Sequence, residues 1–214
     1  CQSHPPHTPG LANALRTLYA DGHSNAADLK RNGWTTPPHL TRLLVALLGV
    51  TGELYASALN ESGLLDAFAS LRARDSDFNA LPDANAQSLA DRFWMVNPPF
   101  SVGAHGGASS PEMEKAVKRC ISLLSDSAPA PKRAVLICPY EKGRGGAVHR
   151  QLTGIAHVNV LFIIRKGALS FLDGLAWDAR AKLRSKPTTF DWAVIVFDNA
   201  CARATLPLPD NAHS

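Results

Sequence analysis

The chain has 214 residues, 45% of them hydrophobic and 19% charged, enough apolar material for one large domain with a substantial core, which excludes general disorder. Its formal charge of +4 and pI near 9.0 suit an anionic partner and an ordinary basic surface equally well. No apolar run approaches the ~20 residues of a membrane span, so no membrane partner is expected.

The first ten residues, CQSHPPHTPG, lack the apolar stretch of a signal peptide, and a first residue other than Met reads as a trimmed chain. His4 and His7 fit a solvated loop better than a metal site, and no metal is expected. Leu11, Leu15 and Leu18 recur at helical spacing. Thr36-Pro37-Pro38 then introduces Leu40, Leu43, Leu44, Leu47 and Leu48, spaced as one helix face with Gly49 as the stop. GELYAS (52–57) reads as a short strand, 62–72 as helical, and 73–92 as polar and turn-rich. RFWMV (92–96) is a strand broken by Asn97-Pro98-Pro99, because proline cannot donate to a ladder.

After a glycine-rich loop at 103–110, Pro111 opens a helix with Glu112 and Glu114 in the first turn, where the helix dipole favours acids. Met113, Ala116, Val117, Cys120, Ile121 and Leu124 form its apolar face. RAVLICP (133–139) is continuously apolar, as a strand covered on both sides would be. EKGRGG (141–146) is a glycine-rich loop, followed by a short helix near 147–155 and the strands VNVLFII and DWAVIVF. Cys1, Cys120, Cys138 and Cys201 lie far apart without a Cys-x-x-Cys pair. Cys120 and Cys138 fall in apolar segments and read as small buried hydrophobes in a reducing, intracellular setting.

Helices alternating with apolar strands predict a three-layer α/β domain with a mostly parallel, Rossmann-like sheet, in which the last two strands add an antiparallel edge. Residues 1–48 are expected to be a helical extension, 49–204 the α/β domain, and 205–214 a Pro-rich tail. In such sheets ligands bind beyond the carboxyl ends of the strands. Asn97 lies at such an end. The diproline after it fixes two φ angles and removes two donors, leaving the Asn97 and Pro98 carbonyls directed with little competition. The Asn97 side-chain oxygen adds an acceptor and Phe100 a flat apolar face. Together they suit a planar group bearing an NH2, such as adenine. Acceptors on both N–H bonds would draw that nitrogen toward a tetrahedral form and aim its lone pair at an electrophile.

Asn97-Pro98-Pro99-Phe100 resembles the Asp/Asn/Ser-Pro-Pro-aromatic signature of amino-methyltransferases. A second stretch, LVALLGVTGELYASALN (44–60), resembles the cofactor-side strand of the phosphorylated-CTD-interacting-factor family, the cap-specific adenosine N6-methyltransferases, through Gly49, Val50, Glu53, Tyr55, Ala56, Ser57, Leu59 and Asn60. The two motifs stand at about the family's spacing, and the similarity spans roughly residues 40–200, ending with a strand that closes in Asp-Asn (198–199).

The resemblance implies an S-adenosylmethionine-dependent adenine N6-methyltransferase with a methyltransferase-type sheet, acting on RNA such as capped mRNA, in the nucleus. It places Asn97, Pro98, Pro99 and Phe100 on the target adenine, and Glu53, Ala56, Ser57 and Asn60 at the cofactor. Asp75 or Asp77 would suit a ribose hydroxyl, and equally a solvated loop. Lys142 and Arg144 fit a phosphate grip or an exposed turn, since EKGRGG lacks the ending of a Walker loop. His149 and Arg150 fit an RNA edge or a plain basic surface.

The chain departs from the family in several places. Gly52 and Ala58 replace bulkier residues, Ser101-Val102 stands where acidic residues follow the motif, and the WW module is missing. Other acceptors within this chemistry are a DNA or ribosomal RNA adenine or a glutamine amide. From a different class comes a methyltransferase-like subunit without turnover, serving a ribonucleoprotein or other protein partners.

Overall fold

The apolar runs become the strands of one sheet. A computed structural model describes residues 34–57, 63–71, 73–89, 91–99, 111–125, 132–140, 147–152, 154–173, 188 and 191–199. The helical pattern at Leu11–Leu18 and the tail 205–214 lie outside them. In chain order the elements are β1 (Trp34–Thr35), α1 (Pro38–Leu48), β2 (Gly52–Leu54), β3 (Ala67–Ala69), a 3-10 helix (Ala73–Phe78), β4 (Trp94–Val96), α2 (Pro111–Ser125), β5 (Arg133–Tyr140), α3 (Ala147–Leu152), β6 (Val158–Ile164), β7 (Leu172–Asp173) and β8 (Asp191–Asp198).

Among the described residues, six strands pair in the order β3-β2-β4-β5-β8-β6, and β1 pairs with β7 in a separate two-stranded ribbon. The β2–β3, β2–β4 and β4–β5 pairs are parallel, while β8 runs antiparallel to both β5 and β6. Five of the six strands therefore point the same way, and the antiparallel pair closes the β6 edge. Leu81 adds a parallel bridge to Ala69 beyond β3. With β8 set aside, the segments run third, second, first, fourth, fifth, sixth across the sheet, reversing between β2 and β4. This mostly parallel α/β sheet is compatible with a Rossmann-like fold.

Strand alternation gives the sheet two apolar faces. On the first, Leu54, Trp94, Val96, Ala134, Leu136, Cys138, Ala193, Ile195 and Phe197 pack with α2 and α3. On the second, Met95, Val135, Ile137, Trp192 and Val194 pack with Leu40 and Leu44 of α1 and with Leu169 and Phe171. Helices on both faces make three layers. The continuous burial of Ala134–Cys138 is the expected consequence of covering both sides of β5. At β6 a bulge between Val160 and Phe162 changes the parity. Val158 and Val160 join the first face, Phe162 and Ile164 the second.

One expectation is overturned. Of the segment 62–72 expected to be helical, the described residues 63–71 are not a helix: 63–66 form a bend and Ala67–Ala69 pairs in parallel with β2. A helix would bring Leu64, Phe68 and Leu71 onto one face. Instead Phe68 and Ala69 are buried while Leu64 and Leu71 are exposed. A short apolar run carries no decisive period, and here its pairing with β2 settles the conformation. Among the remaining segments that fall on described residues, α1, α2 and the three long apolar strands β5, β6 and β8 are in place, the strands expected at 52–57 and 92–96 shorten to Gly52–Leu54 and Trp94–Val96, and 73–78 forms a short 3-10 helix within the polar stretch.

Gly52 has a packing reason. A Cβ there would lie 2.7 Å from the Trp94 ring and 2.8 Å from Arg92 Cδ. Trp94 itself is fixed by its indole N–H, which donates to Ser88 O at 2.9 Å, and by the Arg92 guanidinium 5.2 Å from its ring centroid. Gly52→Ala is expected to lower stability by about 1–3 kcal/mol through overpacking. A urea midpoint equal to that of the parent would contradict this.

Cys120 and Cys138 are buried free thiols, pushed up from 9.0 to about 12 chiefly by burial. The Arg119 charge pulls Cys120 the other way, and the Cys120 charge reinforces the shift at Cys138. The folded state keeps protons that the unfolded chain releases above its ordinary pKa. These groups' contribution is therefore intact below pH 9.0 and is lost as pH rises toward about 12. Unfolding free energy should fall across that window, and Cys138→Ala should make the fall shallower. An unchanged slope in that variant would show that the thiol is not responsible.

Candidate functional site

Parallel strands put their carboxyl ends on one side of the sheet, and β2 and β4 end in register, Leu54 opposite Val96. The Asn97 amide still reaches Leu54 O at 3.4 Å. Pro98 and Pro99 have no N–H to give, so the ladder ends there. On the neighbouring strand Tyr55 takes φ 70°, a left-handed conformation that turns the chain off the sheet. The stretches 55–57 and 97–99 therefore leave side by side, at the point where the strand order reverses and open α/β sheets form their ligand crevice.

Around this point Tyr55, Ala56, Ser57 and Pro98 are buried and Asn97 and Pro99 half-buried. Alternation places Asn97 on the second face with Met95, and Glu53 likewise opposite Leu54. Glu53 is 3% exposed and meets Thr36, whose hydroxyl donates to Glu53 Oε1 at 3.4 Å. Thr36 in turn accepts from Asn97 Nδ2 at 3.0 Å. The Asn97 oxygen has no hydrogen-bond partner among the described residues.

Tyr55 faces the first side. Its hydroxyl donates to Asn85 Oδ1 at 2.9 Å and accepts from Arg119 at 3.2 Å. Asn85 Nδ2 donates to Glu112 at 3.3 Å, and Arg119 also donates to the carbonyls of Ala84, at 2.6 Å, and Gln87. Burial pushes the Tyr55 phenol above its ordinary 10.0, with the Arg119 hydrogen bond and charge opposing it. This network ties the turn after β2 to α2 and to the 84–87 turn.

The sequence-predicted site residues divide accordingly. Ala56, Ser57, Asn97, Pro98 and Pro99 meet at the paired strand ends. Glu53 lies one residue back inside β2, turned toward Thr36. Asp77 is exposed on the 3-10 helix, whereas Asp75 is fully buried and accepts a hydrogen bond from Ser70 Oγ. Arg150 falls on α3 and its side chain lies outside the described residues, as do Asn60, Phe100, Lys142 and Arg144 entirely. The Asp-Asn end of antiparallel β8 sits at the opposite end of the strands, beside the start of β5. Asp198 pairs with Arg133 at 2.9 Å, and Asn199 Oδ1 accepts from the Lys132 amide at 2.7 Å.

Sequence reasoning missed Thr36, Asn85 and Arg119. A signal for Thr36 existed: Pro37 occupies the N-cap of α1 and makes no side-chain cap. The preceding threonine is thereby released from the usual capping role.

Among the described residues no group of three or more His, Cys, Asp or Glu could hold a metal ion, and no helix is long and apolar enough to cross a membrane. No protein-family model matches the chain, and no curated protein matches it.

Tyr55→Phe removes a hydroxyl that serves two half-buried partners, one of them the charged Arg119, and should cost about 1–3 kcal/mol. Chemical denaturation measures it; a variant as stable as the parent would mean that the network does not hold the turn.

Proposed function

We propose that the chain is an S-adenosylmethionine-dependent methyltransferase acting on an exocyclic amino group, the adenine N6 of an RNA being the acceptor its motifs suit best. The observation carrying this reading is the juxtaposition of the two motif stretches, 52–57 and 97–99, on neighbouring parallel strands where the sheet order reverses. The two stretches stand about forty residues apart in the sequence, and only this pairing brings them together.

The residues present suit such a cofactor. Ala56 and Ser57 are small and follow directly on the carboxyl end of β2, and the carboxyl-end position is where α/β sheets take nucleotide-like ligands. S-adenosylmethionine, when bound, supplies a methyl carbon on a sulfonium as the electrophile. Ser57 and Asn60 are the residues that would hold it.

The work of the protein lies on the acceptor side. An adenine amine is a weak nucleophile because its lone pair is delocalised into the ring. The Asn97 side-chain oxygen and the Pro98 carbonyl are proposed to accept its two hydrogens. Each accepted N–H localises the nitrogen lone pair and directs it away from the acceptors. The diproline makes that arrangement rigid before the acceptor arrives, so little reorganisation remains at the moment of reaction. Phe100 offers the plane for base stacking, worth about 1–3 kcal/mol of acceptor binding. Lys142, Arg144 and Arg150 are assigned to the RNA phosphates, and a capped end is the acceptor site that the family resemblance suggests.

Calorimetric titration of the full chain with S-adenosylmethionine tests the cofactor. Labelled cofactor incubated with capped RNA, uncapped RNA, duplex DNA and peptide, followed by digestion, identifies the methylated group. Saturable cofactor binding and labelled N6-methyladenosine are expected. Asn97→Ala should abolish transfer while leaving cofactor affinity essentially unchanged. A folded chain that binds no cofactor would replace this reading with a scaffold role, and full transfer by Asn97→Ala would end the assignment of Asn97.

A further inference from the structure

The direction in which the Asn97 amide points decides whether it can act as an acceptor. Its nitrogen and oxygen are nearly the same size, so packing alone does not distinguish the two orientations, and the hydrogen-bond network must. Thr36 is fully buried, between Asn97 and Glu53. A hydroxyl carries one proton. With that proton directed at the Glu53 carboxylate, the threonine oxygen can only accept from its other neighbour. Asn97 must then present its NH2 to Thr36, as it does at 3.0 Å, and its oxygen is turned away from the buried side. Flipping the amide would set the Asn97 oxygen against the threonine oxygen with no proton between them.

The chain delivers these three groups from separate elements. Glu53 lies in the centre of β2, and Asn97 is the last ladder residue beside β4. Thr36 stands between β1 and α1, where pairing of Trp34–Thr35 with β7 on one side and Pro37-Pro38 on the other fix the backbone. Thr36 lies outside both stretches that carry the family resemblance.

We infer that Thr36, with Glu53 behind it, is a positioning residue that locks the Asn97 side-chain oxygen toward the crevice as a hydrogen-bond acceptor for an amino group. The inference rests on the reading of Asn97 given above for its functional meaning, but the lock itself is a property of the folded chain and can be measured without any acceptor.

The test uses the full chain with asparagine side-chain amides labelled with 15N. In the parent, one Asn97 Nδ2 proton should be protected from solvent exchange. Thr36→Ser keeps the hydroxyl and should keep the protection, whereas Thr36→Val keeps the shape and should lose it. In Glu53→Gln the carboxamide is a weaker acceptor and can itself donate, so protection should fall. In parallel, Thr36→Val should lower the turnover of methyl transfer by about tenfold or more with cofactor affinity unchanged, and Thr36→Ser should restore most of it.

Protection that survives in Thr36→Val, or that is lost equally in Thr36→Ser, overturns the lock. Unchanged protection in Glu53→Gln removes Glu53 from it. Loss of protection in Thr36→Val with turnover at the parent level overturns its role in positioning. If protection behaves as expected but Asn97→Ala transfers methyl normally, the lock stands and the functional reading of Asn97 is what fails.

Discussion

The register between Gly52–Leu54 and Trp94–Val96 is the constraint on which the rest of the molecule turns. Three residue pairs are a short ladder, and both strands are cut off just beyond it. Proline ends one by withholding donors, and a left-handed tyrosine ends the other by turning the chain. Because the pairing is parallel, both terminations fall on the same side of the sheet. A slip of one residue would carry Trp94 and Val96 to the second face and Met95 to the first. It would also remove Trp94 from its place over Gly52, where no side chain larger than hydrogen fits without displacement. Packing against that glycine and the burial of both faces therefore specify the register that brings the two chain segments together.

Much of this was legible in the sequence, for reasons that differ from element to element. The strand at 133–140 announced itself because burial on both faces demands an unbroken apolar run. The helix at 111–125 was legible through its apolar face and its acidic first turn. The diproline after Val96 marked a strand end by the loss of donors. The segment 62–72 misled because its leucines and Phe68 mimic a helical face, while strand β3 is three residues long and too short to display an alternation. Its identity resides in its pairing with β2, a long-range fact. The bulge at Leu161 is similar. VNVLFII shows an apolar run in the sequence, but only the register against β8 reveals that its two halves serve opposite faces.

The candidate site was legible where a residue's own chemistry is unusual and illegible where its partner decides its role. Asn97 stands out because prolines follow it. Glu53 was read as a residue close to the cofactor; its place in the middle of β2 buries it, and its partner there is Thr36, seventeen positions away. Thr36 looked like part of a helix start. Its hydroxyl is free for other work because Pro37 takes the N-cap, and nothing in a local window discloses that Asn97, sixty-one positions on, is what it meets. Tyr55 likewise gains its meaning from Asn85 and Arg119, polar residues in a turn and on a helix that resemble ordinary surface.

These partners show how the two walls at the strand ends are held. The turn after β2 is tied through Tyr55 to α2 and the 84–87 turn, all on the first face. The corner after β4 is tied through Asn97 to Thr36 at the start of α1, on the second face. Each wall thus answers to a different helical layer, and the sheet between them is the shared reference. A sheet buried on both sides deforms little, because displacing it disturbs two packed cores at once. Changes in α2 are consequently transmitted first to the 55–57 turn, and changes around Thr36 first to Asn97. In the proposed chemistry, the turn would set the donor and the corner the acceptor. An in-line transfer needs the two aligned to within a fraction of an ångström. Anchoring them to opposite layers of one rigid sheet lets each be adjusted by substitution without moving the other, which is a physical reason for such a site to sit where the strand order reverses.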